Sequence, residues 1–309
     1  MPYETIKTRL DRGGRIILDG ATGTELERRG VPMNQQAWCG LASLSHGEVL
    51  AQVHADYIAA GADVVTTNTY ASSRLMLRAA GMADEATRAV RAAAEAALRA
   101  RDRAARDRAV AVAGSLSHMV PIVTGTARTS EEARLGEAEM LAAFREVAAT
   151  LAVSGCDLIL LEMMYHPKRM PLAIRAAQET GLPVWLGLSA RLGDDDRLLS
   201  YTSAQVIPFA DIVKFLPDSG IDVAGVMHSS ATATDPALAA VRQSFAGPLM
   251  AYPESGYFEM PHWRFVDVMS PEDFVGHCRR WSNAGVQVLG GCCGLGVDHI
   301  QALARAGIA

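Results

Sequence analysis

Two adjacent thiols set the chemistry of this chain. In Val286-Gln-Val-Leu-Gly-Gly-Cys-Cys-Gly294 a short apolar run ends in two glycines and then Cys292 and Cys293. The run reads as a buried strand, and the glycines let the backbone turn sharply at its exit. Thiols at the mouth of a strand are soft-metal ligands, although an isolated Cys-Cys pair is as readily explained by burial. What decides between the two readings is whether other donors reach the same place.

Composition narrows the setting. The chain has 309 residues, half of them apolar, enough for one large core or two modest ones. No run of about 18 uncharged apolar residues is present, so no membrane span is expected. Residues 1–15 are polar and lack the apolar centre of a signal peptide. Together these point to a cytoplasmic protein, in which an odd count of 5 cysteines argues against a disulfide framework. A net charge of −5 gives no electrostatic case for nucleic acid or an anionic membrane. The arginines between Arg88 and Arg108 are interleaved with Glu95, Asp102 and Asp107, as on a solvated helix face.

Eight apolar runs punctuate the chain: Arg15 to Gly20, Asp63 to Asn68, Ala109 to Ser115, Asp157 to Glu162, Pro183 to Ser189, Asp222 to His228, Gly247 to Pro253 and Val286 to Gly291. Segments with helical spacing lie between them, among them Glu48 to Ala60, Asp84 to Arg106, Ala138 to Val153, Arg169 to Thr180, Ser203 to Phe215, Pro236 to Gln243, Pro271 to Ser282 and Val297 to Ala306. Strands that are continuously apolar belong to a parallel sheet covered on both faces. Eight such units fit a closed (β/α)8 TIM barrel better than an open sheet, and no G-x-G-x-x-G follows the first strand. No linker divides the chain, so a single domain over 1–309 is expected.

Barrel sites form at the carboxyl ends of the strands. Those ends carry Asp19, Asn68, Ser115, Glu162, Ser189, His228, Pro253 and Cys292. His228 closes strand six and the cysteines close strand eight, so three metal donors with one open position can converge, as in catalytic zinc sites. Asp19 and Glu162 read either as an acid–base pair or as acceptors for the ammonium group of an amino-acid ligand. Asp19 could instead be a turn residue before Gly20, whereas a carboxylate directly after four apolar residues, as at Glu162, needs a use. Cys39, Cys156 and Cys278 have no metal-ligand spacing and are assigned to structure.

These motifs together resemble the homocysteine S-methyltransferase family of zinc-dependent thiol methyltransferases, over nearly the whole chain. Asp19-Gly-Ala-Thr-Gly-Thr24 is similar to the family's opening motif, and His54 to Tyr70 to its H-x-x-Y-x-x-A-G-A-D-x-x-x-T-x-T-Y signature. Leu161-Glu162, Tyr252-Pro-Glu-Ser-Gly256 and Gly290-Gly-Cys-Cys-Gly294 match further motifs. The resemblance implies a (β/α)8 barrel holding Zn2+ on His228, Cys292 and Cys293. It implies an acceptor bound through Asp19, Gly20, Asn68, Tyr70, Glu162 and Ser189. The expected partners are small molecules: a thiol or selenol such as homocysteine, and a sulfonium or quaternary ammonium methyl donor. Zinc holds such a thiol as thiolate at neutral pH, and the thiolate attacks the methyl carbon in line.

Several positions depart from the family pattern. His228 stands where the family has its first cysteine ligand, Glu254 replaces the asparagine of Y-P-N-S-G, Gly294-Leu-Gly replaces an Arg-Thr-Thr run, and Gly114-Ser-Leu-Ser-His-Met119 lacks the family's G-P-Y-G. Exchanging a thiolate for an imidazole removes one negative charge from the metal, making it more Lewis-acidic and a bound thiolate less nucleophilic. Two other readings stay open: a zinc hydrolase or lyase using metal-bound water, and a non-catalytic relative that binds an amino acid or methyl donor. Trp38, Tyr70, Tyr252, Tyr257 and Trp263 are candidates for cation–π contact with the donor. The sequence leaves the donor and the oligomeric state open.

Overall fold

The structure, a computed structural model, describes residues 2–105, 108–123, 125–126, 135–202 and 204–308. Eight parallel strands form one sheet: β1 (Ile16–Ile17), β2 (Val64–Thr66), β3 (Ala111–Ser117), β4 (Leu158–Met164), β5 (Val184–Leu188), β6 (Val223–Met227), β7 (Leu249–Tyr252) and β8 (Val286–Leu289). They pair in sequence order, and β8 returns to β1 with Ile16 opposite Val288. The seam between β1 and β2 is closed by a single bridge, Leu18 to Val64, flanked by Asp63 N–H to Ile17 O at 2.7 Å and Asp19 N–H to Val64 O at 3.0 Å. The expected (β/α)8 TIM barrel is what the chain forms.

Side chains on each strand alternate between the barrel interior and the helices outside. Leu158 and Leu160 of β4 join the inner cluster with Ile16, Leu18, Trp185 and Met250, while Ile159 and Leu161 join the outer one. Glu162 shares the inward parity of 158 and 160, so the alternation itself sends its carboxylate toward the axis at the mouth. Trp185 and Met227 fill the interior where Gly187 leaves room, since a side chain at 187 would collide with the Met227 sulfur.

The outer helices follow local signals. Gly47–Ala60 ends at Gly61, whose φ of 118° is the left-handed stop that glycine tolerates. Pro271–Asn283 starts with Ser270 capping the Asp273 N–H and with Pro271 in the first turn.

Some expectations from sequence are corrected. The helix expected from Pro236 begins earlier, at Ala231, because Ser230 caps it by accepting from the Ala233 N–H, and Pro236 lies inside it. Of the helix expected over 203–215 the described residues hold a single short piece, Phe209–Val213, because the stretch before it runs extended, with Ser200 N–H bonded to Ile207 O at 2.8 Å and Leu199 bridged to Pro208. The expected boundaries at Arg106 and Ser203 lie outside the described residues. Residues 2–11, read from the sequence only as polar and charged, form a helix whose Tyr3, Ile6 and Leu10 close the far end of the barrel. Tyr3 there donates to Asp222 at 2.6 Å and accepts from Trp185 Nε1 at 3.1 Å. Among the described residues no helix is long and apolar enough to cross a membrane.

Candidate metal centre and substrate cavity

The loops leaving β6, β7 and β8 are tied together by backbone. His228 N–H donates to Tyr252 O at 2.9 Å, Cys292 N–H to Pro253 O at 2.7 Å and Ser255 N–H to Cys293 O at 2.9 Å. The exit of β7 thus holds the exits of β6 and β8 on either side of it. Glycines make the approach possible. A side chain on Gly290 would strike the backbone oxygens of Leu18 and Asp19, and Gly294 combines a φ of 84° with close contact to Ser255 O.

This frame brings His228, Cys292 and Cys293 together, all buried, with donor atoms within 4.8 Å of one another. His228 Nδ1 is 3.3 Å from Cys292 Sγ, and the two sulfurs are 3.9 Å apart. Tetrahedral zinc with ordinary bond lengths separates such donors by about 3.5 to 3.8 Å. The group therefore suits a metal ion, and all three residues also line the cavity described next. The backbone at His228 is left-handed, with φ of 45°, a conformation uncommon for residues with a side chain and one that turns the ring toward the cysteines.

Burial and neighbouring charges shift two of these donors. The adjacent Cys293 thiol and burial push Cys292 well above the ordinary thiol range. Burial opposes charge on His228, but the Glu254 carboxylate, followed by Cys292, outweighs it and lifts the imidazole to about 10. His228 Nε2 lies 2.8 Å from Glu254 Oε2 and 3.1 Å from the Tyr201 hydroxyl. Two neighbouring buried thiols do not ionise together unaided, and a divalent cation is the group that lets both do so.

Above the cluster is a cavity of about 110 Å³ whose wall is mostly aromatic and methionine side chains. Trp38 stands edge-on to Phe258 at 5.6 Å, Tyr165 packs on Tyr201 at 5.7 Å, and Trp263 meets His228 at 5.8 Å. Glu162 is the carboxylate on this wall among the described residues, pushed up to about 7 by burial against the opposing effects of Ser115 and His228.

The other expected site residues fall into two groups. Asn68 and Tyr70 line the cavity, but Asn68 uses both ends of its amide on Cys39, donating to its carbonyl at 2.9 Å and accepting from its thiol at 3.2 Å. The Tyr70 hydroxyl points to the Met163 sulfur at 2.8 Å. Asp19, Gly20 and Ser189 are not among the lining residues. Asp19 accepts from Thr66 N–H at 2.6 Å, the Thr66 hydroxyl at 2.9 Å and the Tyr252 hydroxyl at 3.2 Å. Gly20 is pressed against Tyr57 and Leu295 O, and the Ser189 hydroxyl donates to Met227 O at 2.8 Å.

Of the aromatic candidates, Tyr257 is about half exposed and lies away from the cavity, whereas Tyr165, Tyr201 and Phe258 belong to its wall. Cys39, assigned from sequence to structure alone, also borders it. No spacing in the sequence marks these additions, because Tyr165 follows a strand that runs past its expected end at Glu162, Phe258 lies in a short strand outside the barrel, and Cys39 and Tyr201 lie outside strands.

The parallel barrel thus gathers an imidazole and two thiols at its carboxyl face. The chain is a member of the homocysteine S-methyltransferase family, whose sequence model matches residues 16–307, and is on that basis an S-methyltransferase. It is 26% identical to the homocysteine S-methyltransferase YbgG of Bacillus subtilis over 312 residues, covering 96% of this chain and 95% of that one. A selenocysteine methyltransferase of Astragalus bisulcatus is also 26% identical, over 95% of this chain and 93% of its own length. The metallated homocysteine methyltransferase MmuM of Escherichia coli superposes with a TM-score of 0.73 at 22% identity, across 99% of this chain and 100% of that one.

Proposed function

We propose that the protein transfers a methyl group from a small sulfonium or quaternary ammonium donor to the thiol of homocysteine, giving methionine, or to a closely related thiol or selenol. The observation that carries this reading is the convergence of His228, Cys292 and Cys293 beneath an aromatic cavity bearing one carboxylate. Zinc held by those three residues would supply the Lewis acidity that keeps an acceptor thiol deprotonated at neutral pH.

The protein's own residues do the remainder. Glu162 is placed to accept the ammonium group of an amino-acid acceptor and so fix the direction of its thiol. The roles expected of Asp19, Gly20 and Ser189 become structural, since their polar groups or space are already committed inside the protein. Asn68 and Tyr70 shape the wall rather than offer free donors. Trp38, Tyr201, Phe258 and Trp263 present ring faces and edges that suit a methylated cation and keep water out of the methyl-transfer path. Such an apolar wall is a poor setting for activating water, which speaks against the hydrolase reading. All five cysteines are free thiols, consistent with a reducing, cytoplasmic location.

The test is direct. Purified zinc-loaded protein is incubated with homocysteine and, in turn, S-methylmethionine, S-adenosylmethionine and a betaine, and methionine is measured by mass spectrometry. Methionine formed with at least one donor, and absent from chelator-treated protein, supports the reading. Turnover of a single compound without methyl transfer would replace it.

A further inference from the structure

Glu254 meets the cluster of His228, Cys292 and Cys293 from the His228 side. Its carboxylate oxygen lies 2.8 Å from His228 Nε2, and among the described residues His228 is its one ion-pair partner. The same nitrogen lies 3.1 Å from the Tyr201 hydroxyl, so the outer nitrogen of the ring faces two oxygens. The other nitrogen, Nδ1, faces Cys292 Sγ at 3.3 Å and is the one turned toward the two sulfurs.

The backbone places this carboxylate accurately. Glu254 N–H donates to the carbonyl of Ser229, next to His228, at 3.0 Å. On either side of it, Pro253 accepts from Cys292 N–H at 2.7 Å and Ser255 donates to Cys293 O at 2.9 Å. Three consecutive residues thus bond to the backbone at or beside each of the three donors.

We propose that Glu254 is the positioning residue of the metal centre: it fixes the orientation of the His228 ring, so that Nδ1 joins Cys292 and Cys293 as the third ligand. This rests on the metal reading above. It also joins two departures from the family pattern into one unit. A cysteine at 228 would set a thiolate against the Glu254 carboxylate, and an asparagine at 254 would lack the charge that draws the imidazole to it. His228 and Glu254 therefore make sense only together, and each single exchange is worse than the pair.

The experiment measures zinc affinity of the full-length protein by competition with a chromophoric chelator, and the cobalt-loaded absorption spectrum, for wild type, E254Q, H228C and H228C/E254N. Carboxylate partners of ligating histidines typically contribute ten- to hundredfold in metal affinity. E254Q is expected to weaken zinc by about that factor, with unchanged circular dichroism and a shifted cobalt spectrum. H228C/E254N is expected to bind zinc at least about tenfold more tightly than H228C, which a purely structural role for Glu254 would not produce. If wild type binds no zinc, the metal reading itself falls. If wild type binds zinc while E254Q matches it within twofold, or the double variant binds no better than H228C, only the assignment to Glu254 is overturned. Should E254Q fail to fold, the comparison of the two cysteine variants decides alone.

Discussion

Asp19 holds Thr66 twice, accepting from its backbone N–H at 2.6 Å and from its hydroxyl at 2.9 Å. This clasp sits at the seam where β1 and β2 share a single bridge. Burial pushes the Asp19 carboxyl up to about 8 in spite of these donors. Asp19→Ala leaves buried donors without a partner and is expected to cost about 2–4 kcal/mol in urea unfolding. Asp19→Asn, which resembles the protonated form, should cost less. A loss of substrate affinity at full stability would instead return Asp19 to a binding role.

Removing either thiol should remove the metal. Wild type is expected to carry about one zinc per chain by elemental analysis, and Cys292→Ala or Cys293→Ala less than about a tenth of that, since two remaining donors hold zinc poorly. Full zinc content in both variants would contradict the cluster as the metal centre.

Glu162→Gln is expected to raise the KM for homocysteine by roughly tenfold or more, through loss of a charged acceptor for its ammonium. Zinc content should not change. An unaltered KM would show that another group receives the ammonium.

His54 lies fully buried on the inner face of helix Gly47–Ala60, and burial lowers its pKa to about 4. The unfolded chain binds a proton near pH 6.5, while the folded chain resists it until about pH 4. Stability from this group is therefore complete above pH 6.5 and falls as the pH drops through that window. Between pH 7 and pH 5 it should decrease by about 2 kcal/mol. Unfolding curves at the two pH values, compared with those of His54→Leu, isolate the contribution, and equal slopes in both proteins would refute it.

Tyr3→Ala should destabilise the barrel by about 2–4 kcal/mol, because it removes an aromatic ring together with a partner of Asp222 and Trp185. A neutral effect would mean that the first helix is dispensable to the barrel.

The strand ends were legible because a buried parallel strand must be apolar throughout, so the first polar residue marks its exit. That is how His228, Glu162 and the cysteines could be placed on one rim. What a strand end does with its polar group was not legible. Asp19 and Ser189 occupy the right positions but spend their oxygens inside the protein, on Thr66, Tyr252 and Met227. The other contributions to the wall were also hidden, since Cys39, Tyr165 and Phe258 reach the cavity through tertiary placement with no fixed spacing. The first helix escaped notice although Tyr3, Ile6 and Leu10 carry its apolar face, because charged neighbours dilute that signal in so short a segment.

The loop bearing both thiols hangs on the opposite end of the chain. Gly291 N–H donates to Asp19 O, Gly294 N–H to the Thr24 hydroxyl, and Arg28 to Gly294 O at 2.7 Å. During synthesis the early segment must wait for more than 260 further residues before this partner exists. His228 emerges before either cysteine, so a growing chain offers a metal one donor and no pocket. The three side chains therefore come together only once the last strand has joined the barrel.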